Sequence, residues 1–190
     1  MYLQPAGMTD ELLDVMASHD NICNYFDIPL QHCDSEILKS MNRSGSRAEY
    51  EQMVARIRQR IPGIALRTTL IVGYPGETEE QFDDLCDFVS ETEFDYVGIF
   101  AYSPEDGTPA AELPNQVDED TKQARFQELR DIADAVSSHV VSQRIGTSMD
   151  VLVLGCEEDG QLYGRAQCQA PDVDGVTYLE HGAVGEVHTV

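Results

Sequence analysis

Apolar residues recur along the first 143 positions of the chain in two alternating patterns. Short, mostly apolar runs predict four strands, at 1–5, 25–32, 64–73 and 95–103. Between and after them, apolar residues three or four positions apart predict helices at 10–18, at 35–41, after Ser46, after Thr78, and from about 118 to 143. Strands that alternate with helices are typical of a parallel sheet with right-handed crossovers.

Polar residues mark where these helices begin. Thr9 precedes the first helix and can cap it. Ser46 with Glu49, and Thr78 with Gln81, have the spacing of a capping box, in which side chain and backbone bond reciprocally. With four strands, the sheet is either the open half of something larger or a small doubly wound sheet.

The pattern changes after Gly146. The segment "SMDVLVLGCEEDGQLYGRAQ" alternates apolar and polar residues and turns at Asp159-Gly160, as a β-hairpin does. "GVTYLE" and "GEVHTV" predict further short strands. The sequence therefore predicts an α/β unit over 1–143 and a small all-β module over 144–190. We expect the chain to stop inside the last strand of that module.

Composition and charge restrict the function classes. The chain has 190 residues, 42% of them hydrophobic, and a formal charge of −23. Direct nucleic-acid binding needs a basic surface, so the charge disfavours it and favours a basic protein partner, although many acidic proteins are merely soluble. We expect no membrane span and no secretory leader. The five widely spaced cysteines suggest reduced thiols in a cytoplasmic protein.

Candidate binding residues follow three predicted strands, at the end where parallel α/β sheets bind ligands. Gln31 and His32 end the second strand, "GYPGET" follows the third, and Tyr102 ends the fourth. Gly73 and Gly76 let backbone approach a ligand closely, and Pro75 stiffens the turn. A phosphate-binding loop would carry Gly-Lys-Ser/Thr here, so Glu77-Thr78 disfavours a nucleoside triphosphatase.

Each of these residues also has a purely structural interpretation. The turn at 73–77 could serve only to connect strand and helix. Arg67, inside an apolar strand, could be paired, face a ligand carboxylate, or extend outwards between helices. His32 has no second His or Cys at metal-ligand spacing nearby, which disfavours a metal site.

Three long blocks of sequence together resemble a known family. "YFDIPLQHCDSEILKSMNRSGS", "LRTTLIVGYPGETEEQFDD" and "YVGIFAYSPEDGTPAAELPNQV" are similar, in this order, to blocks of the radical S-adenosylmethionine methylthiotransferases. "DIPLQH", "RTTLIVG" and "VGIFAYSPEDGT" resemble the branch that modifies an aspartate of a ribosomal protein. "GRAQCQAPDVDGVTYL" resembles the TRAM module that ends these enzymes.

The resemblance implies a fold, cofactors and a substrate. The fold would be the C-terminal half of a radical SAM βα barrel, followed by an incomplete TRAM-like β-barrel. Members of the family bind S-adenosylmethionine and two 4Fe-4S clusters, and this branch acts on a basic small-subunit ribosomal protein. The residues that the resemblance places at the S-adenosylmethionine site are Gln31, Arg67, Gly73, Tyr74, Pro75, Gly76, Glu77 and Tyr102. It assigns no catalytic and no metal-binding residue in this chain.

The cysteines depart from the family pattern. The family binds its radical-forming cluster through Cys-x3-Cys-x2-Cys, whereas successive cysteines here are 10, 53, 70 and 12 positions apart. We therefore expect this chain to be a C-terminal piece that is not catalytically competent alone.

Two other functions stay open: a transfer-RNA methylthiotransferase, and a non-catalytic acidic module that binds a basic protein. Residues 142–190 carry two basic and eight acidic side chains, which suits a basic protein better than a transfer RNA.

Overall fold

A computed structural model describes residues 3–190 of the chain. The first part contains three strands, β1 (Tyr25–Asp27), β2 (Ala65–Val72) and β3 (Tyr96–Ala101). Its helices are α1 (Asp10–Ala17), α2 (Ser35–Ser40), α3 (Arg47–Arg60), α4 (Glu79–Thr92) and α5 (Glu119–Ser142). Short 3-10 helices lie at Pro5–Gly7 and Pro109–Glu112.

The strands form a parallel sheet in the order β1-β2-β3, as the alternation of strands and helices predicts. β2 is central: Asp27 is aligned with Arg67 on one side, and Arg67 with Tyr96 on the other. Side chains of β2 alternate between the two faces. Leu66, Thr68, Leu70 and Val72 are buried on the helix-covered face, whereas Arg67, Thr69 and Ile71 lie on a half-buried inner face.

The prediction of four strands is not matched among the described residues, where the parallel sheet has three. Residues 1 and 2 of the predicted first strand lie outside the described part of the chain, and Pro5 already begins a 3-10 helix. Leu3 nevertheless donates a backbone hydrogen bond of 3.0 Å to the carbonyl of Asp27, as a neighbouring strand would.

The second predicted strand, 25–32, is also shorter in the structure. β1 ends at Asp27, and pairing with β2 resumes only as an isolated bridge between Gln31 and Leu70. The interruption has a physical cause, because Pro29 has no N–H to donate to a sheet and Gln31 has a left-handed backbone with φ of 73°.

Helix starts follow the predicted caps with one difference. Thr78 and Gln81 form the reciprocal capping box, and Thr9 and Asp118 cap α1 and α5. Ser46 accepts the N–H of Glu49, but the Glu49 carboxylate accepts from the Ser46 hydroxyl rather than from its N–H. The capping box predicted at Ser46 and Glu49 is therefore a one-way backbone cap.

Residues 144–190, called the β module below, contain an antiparallel sheet of four strands in the order β6-β5-β4-β7. The strands are β4 (Asp150–Cys156), β5 (Leu162–Ala166), β6 (Thr177–Leu179) and β7 (Val187–Thr189). Its small core consists of Val151, Val153, Ala166 and Leu179. The predicted hairpin at Asp159-Gly160 connects β4 and β5. No helix within residues 3–190 is both long and apolar enough to cross a bilayer.

Candidate functional site

The predicted binding residues that follow the three parallel strands lie at one edge of the sheet. We call this the carboxyl edge and define it as Gln31, residues 73–77 and Tyr102. Backbone hydrogen bonds hold it together: Gln31 N–H donates to Thr69 (2.8 Å), and Tyr102 N–H donates to Val72 (2.9 Å). The chain thus brings three separate segments to one place.

Gln31 has a strained backbone at this edge. Its φ of 73° lies in the left-handed region, which non-glycine residues rarely occupy. Two sheet hydrogen bonds hold it there, because its N–H donates to Thr69 and its carbonyl accepts from Ile71, each at 2.8 Å. Its half-buried side chain makes no hydrogen bond to the described residues. Strain of this kind is common at ligand sites, so Gln31 is a candidate to contact a bound molecule.

The two glycines of the turn serve different purposes. Gly73 has φ of 70°, and a Cβ there would lie 2.4 Å from Cγ of Lys122 on α5. Gly76 has φ of 87°, but a Cβ would have no other atom within 4 Å. Gly73 therefore makes room for the Lys122 side chain, whereas Gly76 is needed for its backbone conformation and for the bond that its N–H donates to Asn115 (2.9 Å).

Glu77 lies in a buried network instead of facing solvent. Its carboxylate accepts from the Gly73 N–H (2.9 Å) and from Nη1 of Arg125 (2.9 Å), and its side chain is fully buried. Glu77 therefore presents no free negative charge at the turn. The helix starts at Glu79, and the Arg125 guanidinium compensates the Glu77 charge.

His32 belongs to the same network. Its Nδ1 accepts the Asp34 N–H (2.9 Å), and its Nε2 lies 3.6 Å from Oε2 of Glu77. The ring is completely buried. An Nδ1 that accepts a hydrogen bond assigns the proton of the neutral ring to Nε2, on the side of Glu77. The structure thus gives His32 a packing role beneath the turn.

Tyr74 and Tyr102 of the carboxyl edge form a second cluster with Lys122 of α5. The tyrosine rings meet edge to face with centroids 5.2 Å apart, and Nζ of Lys122 lies 5.6 Å from the centroid of the Tyr102 ring. Tyr74 donates to the carbonyl of Ser40 (3.2 Å). The Tyr102 hydroxyl is buried and has no hydrogen-bond partner among the described residues, and burial raises its pKa. A buried hydroxyl without a partner is a candidate to bind a polar ligand group.

The sequence analysis did not identify Lys122 and Arg125, two side chains of α5 that contact the turn at 73–77. Both are nearly fully buried, which is unusual for cations. Their spacing of three residues, which puts both basic side chains on one face of α5, was the available signal.

Arg67 is the predicted site residue that the structure does not bring to the carboxyl edge. It lies six residues before Gly73 on β2, roughly 20 Å along an extended strand. Of the three interpretations that the sequence left open, the structure shows a paired arginine, bound to Asp27 and to Asp174 of the β module.

The cysteines do not fit a shared cluster or metal site. No three His, Cys, Asp or Glu side chains in residues 3–190 are grouped as metal ligands. Cys33 and Cys86 are buried, and burial raises the pKa of Cys86 to about 12, which keeps that thiol protonated. The described residues therefore offer binding groups for a small polar molecule but no ligand set for a 4Fe-4S cluster.

Two family models match the chain. The model of the radical SAM superfamily matches residues 2–89, and the model of the TRAM domain matches residues 145–190. The first match includes Gln31 and the turn at 73–77, and the second coincides with the β module.

Relatives of known family match nearly the whole chain. A "ribosomal protein uS12 methylthiotransferase RimO" from Alkaliphilus oremlandii is 44% identical over 94% of this chain, and one from Geotalea uraniireducens is 46% identical over 96%. This chain covers 41% of the length of each of these two relatives.

Among solved structures, coproporphyrinogen III oxidase from Escherichia coli, described as a radical SAM enzyme, superposes with a TM-score of 0.53. The match covers 87% of this chain and 44% of the oxidase chain, at 15% identity. At that identity the likeness concerns the fold alone.

Proposed function

Because this chain belongs to the radical SAM methylthiotransferase family, in the branch of the ribosomal protein uS12 methylthiotransferases, we propose that it supplies part of an enzyme of that activity. The enzyme replaces a hydrogen on an aspartate of uS12 with a methylthio group. The observation that carries the proposal is the identity of 44–46% to such enzymes over 94–96% of this chain.

Within that enzyme, the carboxyl edge is the proposed S-adenosylmethionine site. S-adenosylmethionine bound there would be the molecule from which the radical is generated. The side chain of Gln31 and the hydroxyl of Tyr102 are the polar groups proposed to contact it, since neither has a hydrogen-bond partner among the described residues. The backbone of the turn at 73–77 lines the site, while Glu77, Arg125 and Lys122 hold that turn in place from behind.

We propose that the 4Fe-4S clusters of the enzyme are bound by residues that this chain does not supply. The five cysteines are far apart in sequence, and the described residues contain no grouped set of ligands. The proposal is therefore that the chain binds S-adenosylmethionine but does not cleave it by itself. Two 4Fe-4S clusters belong to the proposed complete enzyme.

The proposed partner is uS12, a basic protein, in the cytoplasm. The charge of the β module favours a protein substrate over a transfer RNA, because residues 142–190 contain two basic and eight acidic side chains. A surface with this balance repels phosphate and attracts Lys- and Arg-rich segments.

Two experiments test the proposal. In the first, S-adenosylmethionine is titrated into the 190-residue chain by calorimetry. We expect saturable binding that Tyr102→Phe weakens and Tyr178→Phe, an exposed control in the β module, does not. No binding to a folded chain would contradict the assignment of the carboxyl edge.

The second experiment tests the substrate. A hybrid in which this chain replaces the matching segment of the Geotalea uraniireducens relative is supplied with uS12 and bulk transfer RNA, and products are analysed by mass spectrometry. We expect a methylthio group on a uS12 aspartate. A cluster-loaded hybrid that modifies only transfer RNA, or neither substrate, would refute the assignment, with the unaltered relative as positive control.

A further inference from the structure

The polar contacts between the β module and the parallel sheet all lie at one end of the strands. Asp174 contacts Tyr25 at the start of β1 and Arg67 near the start of β2, and Arg144 contacts Asp95 just before β3. Within residues 3–190, no hydrogen bond or ion pair joins the β module to Gln31, to the turn at 73–77 or to Tyr102. The module is thus anchored at the amino-terminal end of the sheet, opposite the carboxyl edge.

Four side chains make up the central part of this contact, here called the latch: Tyr25, Asp27, Arg67 and Asp174. Arg67 donates from Nη1 to Asp27 (2.8 Å), and its Nε lies 3.3 Å from Oδ1 of Asp174. Tyr25 donates its hydroxyl to Oδ2 of Asp174 (2.6 Å), and the Ala170 N–H donates to the same oxygen (2.8 Å). The Asp174 side chain is completely buried, although it belongs to a loop.

The sheet is shaped to admit the guanidinium. Gly98 faces Arg67 across the inner face, where a Cβ would lie 3.1 Å from an Arg67 nitrogen. One guanidinium serves two buried carboxylates here. Burial raises the pKa of Asp27, and the charge of Asp174 acts in the same direction, although Arg67 opposes both. The latch therefore depends more on its single cation than on either carboxylate alone.

We propose that Arg67 is a positioning residue that holds the β module against the amino-terminal end of the parallel sheet. In this position the β module covers one end of the inner face, and the carboxyl edge is the end that it leaves open. This inference goes beyond the proposed function and does not depend on it, because it concerns only the contacts within this chain. It also gives Arg67 a role other than contact with a cofactor carboxylate.

Calorimetry and small-angle X-ray scattering on the complete 190-residue chain test the proposal. The unaltered chain should unfold in one cooperative transition. Arg67→Met should split it into two, increase the radius of gyration, and raise the rate of proteolytic cleavage in the connection at 143–149 about tenfold or more. Arg130→Met, which removes an exposed arginine on α5, is the control.

Milder variants keep the test decisive if Arg67→Met fails to fold. Asp174→Asn and Tyr25→Phe each remove one contact and should weaken docking in the same direction. Asp172→Asn, in the same loop but exposed, and Tyr178→Phe are their matched controls. Early melting of the β module with an unchanged transition of the parallel sheet would support the latch, because general destabilisation would shift both transitions.

The opposite outcome is equally clear. A single transition, an unchanged radius of gyration and unchanged cleavage in Asp174→Asn and Tyr25→Phe would overturn the proposal. None of these measurements uses S-adenosylmethionine or uS12, so failure of the latch and failure of the proposed function are distinguishable.

Discussion

Arg125 and Glu77 form a buried ion pair that ties α5 to the turn at the carboxyl edge. Nη1 of Arg125 lies 2.9 Å from Oε1 of Glu77 and also donates to the Glu77 carbonyl (3.2 Å). The other oxygen of the Glu77 carboxylate accepts the Gly73 N–H. The shape of the turn thus depends on a helix that begins some forty residues later in the sequence.

The ion pair predicts unequal effects of removing its two members. Arg125→Met should lower the free energy of unfolding by about 3–5 kcal/mol, because it leaves the Glu77 carboxylate buried without a cation. Glu77→Gln should cost less, about 1–3 kcal/mol, because the Arg125 guanidinium keeps the Glu79 carboxylate and the backbone carbonyl of residue 77 as acceptors. Urea denaturation measures both, with the exposed Arg130→Met as control. Equal losses for the two variants would contradict this account.

The two glycines of the turn should respond differently to alanine. Gly76→Ala should cost about 1–2 kcal/mol for the left-handed backbone alone. Gly73→Ala should cost more, because its Cβ would also meet Lys122 at 2.4 Å. Adding Lys122→Ala to Gly73→Ala should relieve the clash and restore a loss close to that of Gly76→Ala. Thermal unfolding of the three variants checks this, and a double variant no more stable than Gly73→Ala would refute it.

Replacing Gln31 should weaken binding while leaving stability nearly unchanged. Gln31→Gly removes the strain of a φ of 73° but adds chain entropy, so the free energy of unfolding should change by less than about 1 kcal/mol. If Gln31 contacts S-adenosylmethionine, the affinity should fall about tenfold. Asn42→Gly, at another left-handed position with φ of 57°, should leave affinity unchanged. Unaltered binding by Gln31→Gly would remove Gln31 from the proposed site.

Stability should decrease at alkaline pH because of buried protonated groups. Burial raises the pKa of Cys86 to about 12 and, together with the nearby Cys168, raises that of Tyr96 to about 12. The unfolded chain, with ordinary pKa values of about 8.5 and 10, therefore loses these protons first. Fewer protons bound in the unfolded state mean that the free energy of unfolding falls as pH rises, here between about pH 8.5 and 12.

Urea titrations across this pH range measure the slope. Tyr96→Phe should make the decrease above about pH 10 shallower, because it removes one of the groups that the folded state keeps protonated. Tyr178→Phe is the exposed control. An unchanged slope in Tyr96→Phe would show that other groups cause the alkaline loss.

The sequence by itself determined the local elements and their order. Helix caps such as Thr78 with Gln81 depend on neighbouring residues, so spacing alone predicted them correctly. The alternation of strands and helices predicted a parallel sheet, and the sheet placed Gln31, Gly73 and Tyr102 at one edge. Pro29 was a visible signal that β1 would end early, whereas the left-handed backbone of Gln31 cannot be inferred from its residue type.

Only the tertiary structure decided the partners of the charged side chains. Whether Arg67 faced a ligand or a carboxylate depended on Asp174, more than a hundred positions away in the β module. The role of Glu77 depended in the same way on Arg125. A charge must be compensated when it is buried, but any distant opposite charge can do so, and local sequence patterns hold no information about which one the fold brings near.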